Sequence, residues 1–182
     1  MIKYLKLLRV EQWVKNFFVF IPLFFSGNIT HPNFFVKSVF AFIVFSLIAS
    51  SIYILNDYKD IEADQKHPEK KDRPLDNGSI SKTTALFLFT TLISAVAMLV
   101  FFGQEYFHKN LWKFAVIIGS YFIMNLAYTF KLKHVAIVDI FIIAIGFVLR
   151  VLAGGYATGI KISQWAILLT FVLALVLAVG KR

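Results

Sequence analysis

Asp57, Asp60 and Asp64 stand at i, i+3 and i+7. On a helix that spacing puts three carboxylates on one stripe over about two turns. Asn56, four residues before Asp60, borders the same face. Such a stripe repels itself unless a cation sits among its oxygens. A few hard oxygen donors suit Mg²⁺, which keeps waters and shares itself with phosphate oxygens. The pattern therefore offers a Mg²⁺ platform for a diphosphate, with Asp57, Asp60 and Asp64 as metal ligands and catalytic groups. Lys66, Lys70, Lys71 and Arg73 follow directly and can meet the remaining phosphate charge. Pro68 and Pro74 stop the helix and turn the chain. The competing reading is a solvated loop whose acids and bases merely balance. A calcium loop of EF-hand type fits worse: counting from Asp60, its glycine position holds Gln65 and its last position holds Lys71.

The distribution of charge favours the platform. The chain has 10 acidic residues, and seven of them (Asp57, Asp60, Glu62, Asp64, Glu69, Asp72, Asp76) lie in this one segment. The rest is 59 % hydrophobic overall, with 21 phenylalanines and a mean hydropathy of +0.74. Long apolar runs with few charges describe an all-α polytopic membrane bundle. The absence of cysteine excludes disulfides, zinc–thiolate sites and thiol catalysis. The net charge of +9 reads as orientation and contact with anionic lipid, not as nucleic-acid binding. Lys3, Lys6 and Arg9 are not followed by a clean apolar core, so no removable signal peptide is read.

About six spans are expected to position the stripe. Residues 1–16 form an amphipathic entry segment, with Trp13 as an interface anchor. The spans are then Trp13 to Ser26, Phe34 to Leu55, Thr83 to Phe102, Leu111 to Tyr128, Val135 to Ala153 and Trp165 to Val179. The second delivers the aspartates at its far end, and a polar loop covers residues 65–81. Gly154, Gly155 and Gly159 are expected to break the fifth. With the N-terminus inside, 14 basic residues fall in inside segments and Lys37, Lys109, Lys113 and Lys161 fall outside. That bias puts the N-terminus and the stripe at the cytoplasmic face of the cell membrane.

The fifth span carries Asp139 and Arg150 on one helical face with Ile143 and Gly146. Ionisable groups within a membrane are costly and face a cavity or a partner. These two are eleven residues apart, about 16 Å along a helix, too far to pair directly. Each needs a partner elsewhere, or a ligand. Tyr128, Lys131 and Lys133 gather on the loop next to Asp139.

Asn56-Asp57-x-x-Asp60-x-x-x-Asp64-x-x-His67-Pro68-x-Lys70-x-x-Arg73-Pro74 in a Phe-rich bundle resembles the UbiA superfamily of intramembrane prenyltransferases, and within it the branch containing decaprenyl-phosphate phosphoribosyltransferase. Arg9-x-x-Gln12-Trp13-x-Lys15-Asn16, Tyr128-x-x-x-Leu132-Lys133-x-x-x-x-x-Asp139 and Gly146-Phe147-x-x-Arg150-x-x-Ala153-Gly154 resemble the same branch. Two features depart from the superfamily. Ile143 stands where a second acidic motif would pair with Asp139, which favours the phosphoribosyl branch. The family fold has about nine spans, so residues 1–182 read as one UbiA-like domain covering its N-terminal two-thirds.

The resemblance implies Mg²⁺-dependent transfer of 5-phosphoribose from phosphoribosyl diphosphate to a polyprenyl phosphate. Asp57, Asp60 and Asp64, helped by Asn56, would hold Mg²⁺. Lys70, Arg73 and Lys133 would hold phosphate. Lys15 and Asn16 would close the cytoplasmic mouth together with Gln12. Tyr128, Asp139 and Arg150 would shape the deeper pocket. Two alternatives stay open: prenyl transfer from an isoprenoid diphosphate to an aromatic or other acceptor, and a non-enzymatic membrane protein. The expected partners are the phosphorylated sugar or isoprenoid diphosphate, a polyprenyl lipid and the membrane, with no nucleic acid; a homo-oligomer is left open.

Overall fold

The computed structural model describes residues 2–66, 68, 71–107, 111–132 and 135–180, the side chains of 104–107 and 136 aside. His67, Lys70 and Lys133 lie outside the described residues. Among those described there are helices and no strands. In order they are α1 (Ile2–Leu7), a 3₁₀ helix (Val10–Phe20), α2 (Ile21–Phe25), α3 (Pro32–Asp64), α4 (Lys82–Phe107), α5 (Leu111–Phe130), α6 (Ala136–Thr158) and α7 (Gln164–Gly180).

The central post is α3. Pro32 sits in its first turn, where a missing N–H costs nothing, and the helix runs 33 residues to Asp64. At 1.5 Å per residue it is about 50 Å long, well beyond the ~30 Å of a bilayer's hydrocarbon. Its far end, which carries the aspartates, therefore projects past the apolar layer. Small residues let neighbours approach closely: Ser38, Ala41, Ser46, Ala49, Ser50 and Ser51 are all buried. The 3₁₀ helix, α4, α5 and α6 pack around it. Val19, Phe45, Ile48, Phe114, Ile118 and Leu149 are among the residues that fill the main core.

Among the described residues four helices are long and apolar enough to cross a membrane: Pro32–Asp64, Lys82–Gly103, Leu111–Phe130 and Ile137–Thr158. The expectation of six is corrected at two places. Gln164–Gly180 is apolar but has only 17 residues. The first expected span is not one α-helix but an eleven-residue 3₁₀ helix followed by the five residues of α2. A 3₁₀ helix rises ~2.0 Å per residue, so this segment stretches about 22 Å before α2 begins.

A second correction concerns Gly154 and Gly155. They do not break α6, which continues to Thr158 and ends at Gly159 with a left-handed φ of 78°. Their lack of a side chain serves packing instead. A Cβ on Gly154 would lie 1.8 Å from the Val19 carbonyl oxygen, and one on Gly155 would lie 2.3 Å from Ile162 Cδ1. The 3₁₀ helix thus rests backbone to backbone on α6.

Trp13, expected as an interface anchor, is tied into the bundle. Its indole N–H donates to Ser50 Oγ at 3.0 Å, and Ser50 in turn donates to the Leu8 carbonyl at 2.7 Å. One turn along α3, Ser46 Oγ accepts from the buried Asn16 amide at 3.0 Å. Two serines four residues apart therefore dock the entry segment.

Candidate active site

The stripe is helical: α3 carries all three aspartates within about its last two turns. Asp57 and Asp64 are buried on the inner face, and Asp60 is half-buried between them. The loop that follows is folded back over them. Leu75 and Ile80 insert beside Ile54 and Ile61 of α3, Leu7 of α1 and Ala85 of α4. Arg73 O accepts from Asp76 N and Asn77 N at 3.0 Å each, Ile80 N donates to Pro74 O, and Gly78 supplies the positive φ of 73° that the turn needs. This small apolar cluster and these turns aim Arg73 inward.

Arg73 Nη1 bridges two carboxylates, reaching Asp57 Oδ1 at 3.1 Å and Asp64 Oδ2 at 2.6 Å. A second guanidinium, that of Arg9, also donates to Asp57 Oδ1. Arg9 is the one described non-glycine residue with a positive φ, 49°, and sits between α1 and the 3₁₀ helix. That backbone costs of order 1 kcal/mol, a strain that gathers at functional sites. It turns the side chain toward α3, where the guanidinium also lies 5.0 Å from the Tyr53 ring. The carboxylates are sunk and the cations stand at the rim: side-chain exposure is 3 % for Asp57 and 5 % for Asp64, against 22 % for Arg9 and 29 % for Arg73. Lys6, Gln12, Asp72, Arg73, Arg9 and Asp57 line an open cleft of about 460 Å³ at this end of the bundle.

Asp76 lies behind the pair, 7 % exposed, and neither of its oxygens has a hydrogen-bond partner. Burial, then the charges of Asp64 and Asp57, push its carboxyl up to about 6.

The other expected residues separate into two groups. Asn56 turns toward α5 and accepts from the Thr129 hydroxyl. Lys59 strengthens that junction, donating to the Thr129 carbonyl at 2.7 Å and lying 4.3 Å from the Phe130 ring. Lys15, Tyr128 and Arg150 meet elsewhere, around a smaller cavity of about 140 Å³ that Tyr53, Tyr121 and Gly146 also line. Arg150 is held by Asn16 Oδ1 at 2.8 Å, the Gly146 carbonyl at 2.8 Å and the Tyr121 hydroxyl at 3.2 Å. Asn16, expected at the mouth, is buried and holds Arg150. Asp139 accepts from the Tyr128 hydroxyl at 2.7 Å, so Asp139 and Arg150 have separate partners, as their spacing demands. Tyr53 joins the two halves: it lines the smaller cavity and carries Arg9 of the larger cleft on its ring.

Residues that sequence reasoning gave no role are Arg9, Ser46, Ser50, Thr129, Lys59 and Asp76. The serines had a signal, a polar pair at i, i+4 inside an apolar helix. Arg9 and Asp76 owe their placement to long-range folding.

Among the described residues no three acidic or imidazole side chains stand together as a ready cation cage. Arginines occupy Asp57 and Asp64 in this state.

Comparison with known proteins gives the setting. Residues 17–180 match the model of the UbiA prenyltransferase family. Over 182 residues the chain is 40 % identical to a decaprenyl-phosphate phosphoribosyltransferase of Mycolicibacterium smegmatis, which covers 98 % of this chain and 55 % of that protein. A digeranylgeranylglyceryl phosphate synthase superposes with a TM-score of 0.76 at 23 % identity, covering 98 % of this chain and 59 % of the other. A UbiA homolog from Archaeoglobus fulgidus, solved with GPP and Mg²⁺, superposes at 0.73 with 20 % identity, covering 96 % and 60 %. The chain thus spans somewhat more than half the length of these relatives. With four apolar helices of spanning length it is a multi-pass membrane protein. It belongs to the UbiA prenyltransferase family.

Proposed function

We propose that this chain carries the donor site of a polyprenyl-phosphate phosphoribosyltransferase, transferring 5-phosphoribose from phosphoribosyl diphosphate to the lipid phosphate. The observation that carries the reading is the pair of rim arginines, from two distant segments, converging on Asp57 beneath a polar cleft. The similarity to the mycobacterial phosphoribosyltransferase supports the choice of donor. So does α6, which offers Asp139 with Ile143 at i+4, in place of a second pair of acids.

The donor set fits Mg²⁺ as a platform shared with phosphate and not as a closed protein cage. Asp57, Asp60 and Asp64 are hard oxygen donors on one helix face, and two further buried oxygens on Asp76 have no partner. Mg²⁺, when bound, offsets the charge that builds on the departing diphosphate. Arg9 and Arg73, released from the carboxylates, turn to the phosphate oxygens; both already stand at the rim. Lys6 adds charge on the same side, and Lys70 and Lys133 keep the phosphate-holding roles expected from the sequence. The bond between ribose C1 and the diphosphate oxygen breaks, its electron pair leaving with the diphosphate. An oxygen of the lipid phosphate forms the new bond to C1. That oxygen is already anionic, so no proton has to move and no strong base is required. The bias of basic residues supports a cytoplasmic position at the cell membrane for this cleft and the N-terminus.

The test supplies the membrane-embedded chain with Mg²⁺, phosphoribosyl diphosphate labelled in the ribose, and a polyprenyl phosphate. Label should enter the lipid phase and stop doing so with chelator. Transfer of a labelled prenyl group from its diphosphate to a phosphate-free acceptor, with no ribose in lipid, would overturn the reading.

A further inference from the structure

Arg150 is 6 % exposed within the apolar bundle and makes no ion pair with any described carboxylate. Its partners are neutral: the Asn16 amide oxygen, the Gly146 carbonyl and the Tyr121 hydroxyl. Rings of Phe45, Tyr121 and Phe147 lie 4.9, 5.2 and 5.2 Å from its guanidinium carbon. They solvate the cation through their faces but bring no negative charge. A buried charge without a counter-charge is expensive, and a binding anion would relieve that cost. Three of the five guanidinium N–H groups are engaged by these contacts and two remain.

Arg150 lines the 140 Å³ cavity. Lys15 stands on its wall as a second cation, and no aspartate or glutamate lines it. Tyr53, Tyr121 and Asn125 add polar atoms, while Ile142, Ile143 and Phe147 give an apolar flank. The cavity is small, doubly cationic and partly greasy, whereas the 460 Å³ cleft mixes acids and bases. Tyr53 lines the cavity and carries Arg9 of the cleft on its ring.

We infer that this cavity is a metal-independent subsite for a phosphate monoester, held by Arg150 and Lys15, next to the Asp57 cleft. It rests on the proposed phosphoribosyl transfer only for the origin of the ligand. Two sources share the chemistry: the lipid phosphate of the acceptor and the 5-phosphate of the donor.

The experiment is calorimetric titration of the purified protein in detergent with EDTA present. Geranyl phosphate and ribose 5-phosphate serve as separate probes. At least one should bind, and the tighter names the source: geranyl phosphate the acceptor, ribose 5-phosphate the donor. Ile143→Asp, which adds a carboxylate to the cavity wall at a residue already 39 % exposed, should weaken that binding tenfold or more. Lys15→Gln should weaken it in the same direction. Failure of both probes to bind wild-type protein in EDTA overturns the inference, as does binding that both variants leave unchanged. No transfer is read and no metal is present, so loss of phosphoribosyl transfer in the activity assay and loss of binding here are separate results.

Discussion

Substituting Gly154→Ala tests whether the entry segment is what sets the site. The added methyl would fall 1.8 Å from the Val19 carbonyl oxygen and 2.8 Å from its carbon. Both are backbone atoms, so no side-chain rotation relieves the clash. Bringing 1.8 Å to a tolerable 3.0 Å requires the 3₁₀ helix and α6 to part by at least 1.2 Å there. Overpacking of this kind costs about 3 kcal/mol, at the upper end of its usual range. For a chain of this length that is a fall in midpoint of about 6–12 °C. The consequence for the site is geometric. Asn16 lies one 3₁₀ turn from Val19, and Arg150 lies one α-helical turn from Gly154, so their 2.8 Å hydrogen bond sits on the same seam. Parting the seam by the same amount takes that bond beyond hydrogen-bonding range. Thermal unfolding in detergent and the ribose-transfer assay should therefore fall together. Gly119→Ala is the control, since a Cβ there meets nothing within 4 Å. A Gly154→Ala protein with the wild-type midpoint and wild-type transfer would refute the reasoning.

Three further perturbations address the cleft directly. Asp57→Asn removes the charge that two arginines share, and transfer should drop by about 10²–10³ or more if this carboxylate supports charge development in the reaction; initial rates at saturating Mg²⁺ check it. Thr129→Val deletes the hydroxyl donated to Asn56, which should lower the midpoint by about 2–4 °C for a loss of ~1 kcal/mol. Asp76→Asn concerns pH. The native carboxyl is raised from 3.8 to about 6, so between about pH 4 and 6 the folded chain holds its proton more tightly than the unfolded chain. Stability then falls as pH rises through that window. The neutral variant should be the more stable protein at pH 7.5 by about 1 kcal/mol, or 2–4 °C, with the advantage gone at pH 4. Unfolding midpoints at the two pH values measure it.

Much of the site was legible because it is local. Asp57, Asp60 and Asp64 share a face through helical periodicity alone, and Pro68 and Pro74 mark where that helix must yield to a loop. The separate fates of Asp139 and Arg150 followed from a distance along one helix. What was not legible depends on segments far apart in sequence. Arg9 meets Asp57 across 48 residues, and Arg150 meets Asn16 across 134. Periodicity carries no information about such pairs. The glycines at 154 and 155 show a different limit. As punctuation they signal a break, but in close packing the same missing Cβ permits contact, with the Val19 backbone at Gly154 and the Ile162 side chain at Gly155, and only the folded partner decides which use applies.

The arrangement of charge explains why sunken aspartates and rim arginines belong to one device. Asp57 and Asp64 are sunk to 3 % and 5 % exposure, and Arg9 and Arg73 bring the opposite charge to them. Among the described residues two guanidiniums meet Asp57 and Asp64, while the buried Asp76 carboxylate beside them has no hydrogen bond. A divalent cation arriving with a diphosphate would match the carboxylates and free the guanidiniums for the phosphates in the same event. The two charge systems then exchange partners without either being left bare. If that exchange operates, Arg73→Gln should bind Mn²⁺ alone more tightly than wild type, because a competitor for Asp57 and Asp64 is gone, while binding phosphoribosyl diphosphate with Mn²⁺ more weakly. Titration of Mn²⁺ by electron paramagnetic resonance, with and without the diphosphate, reads both arms. A variant in which both affinities fall together would show that Arg73 only props up the loop and takes no part in the exchange.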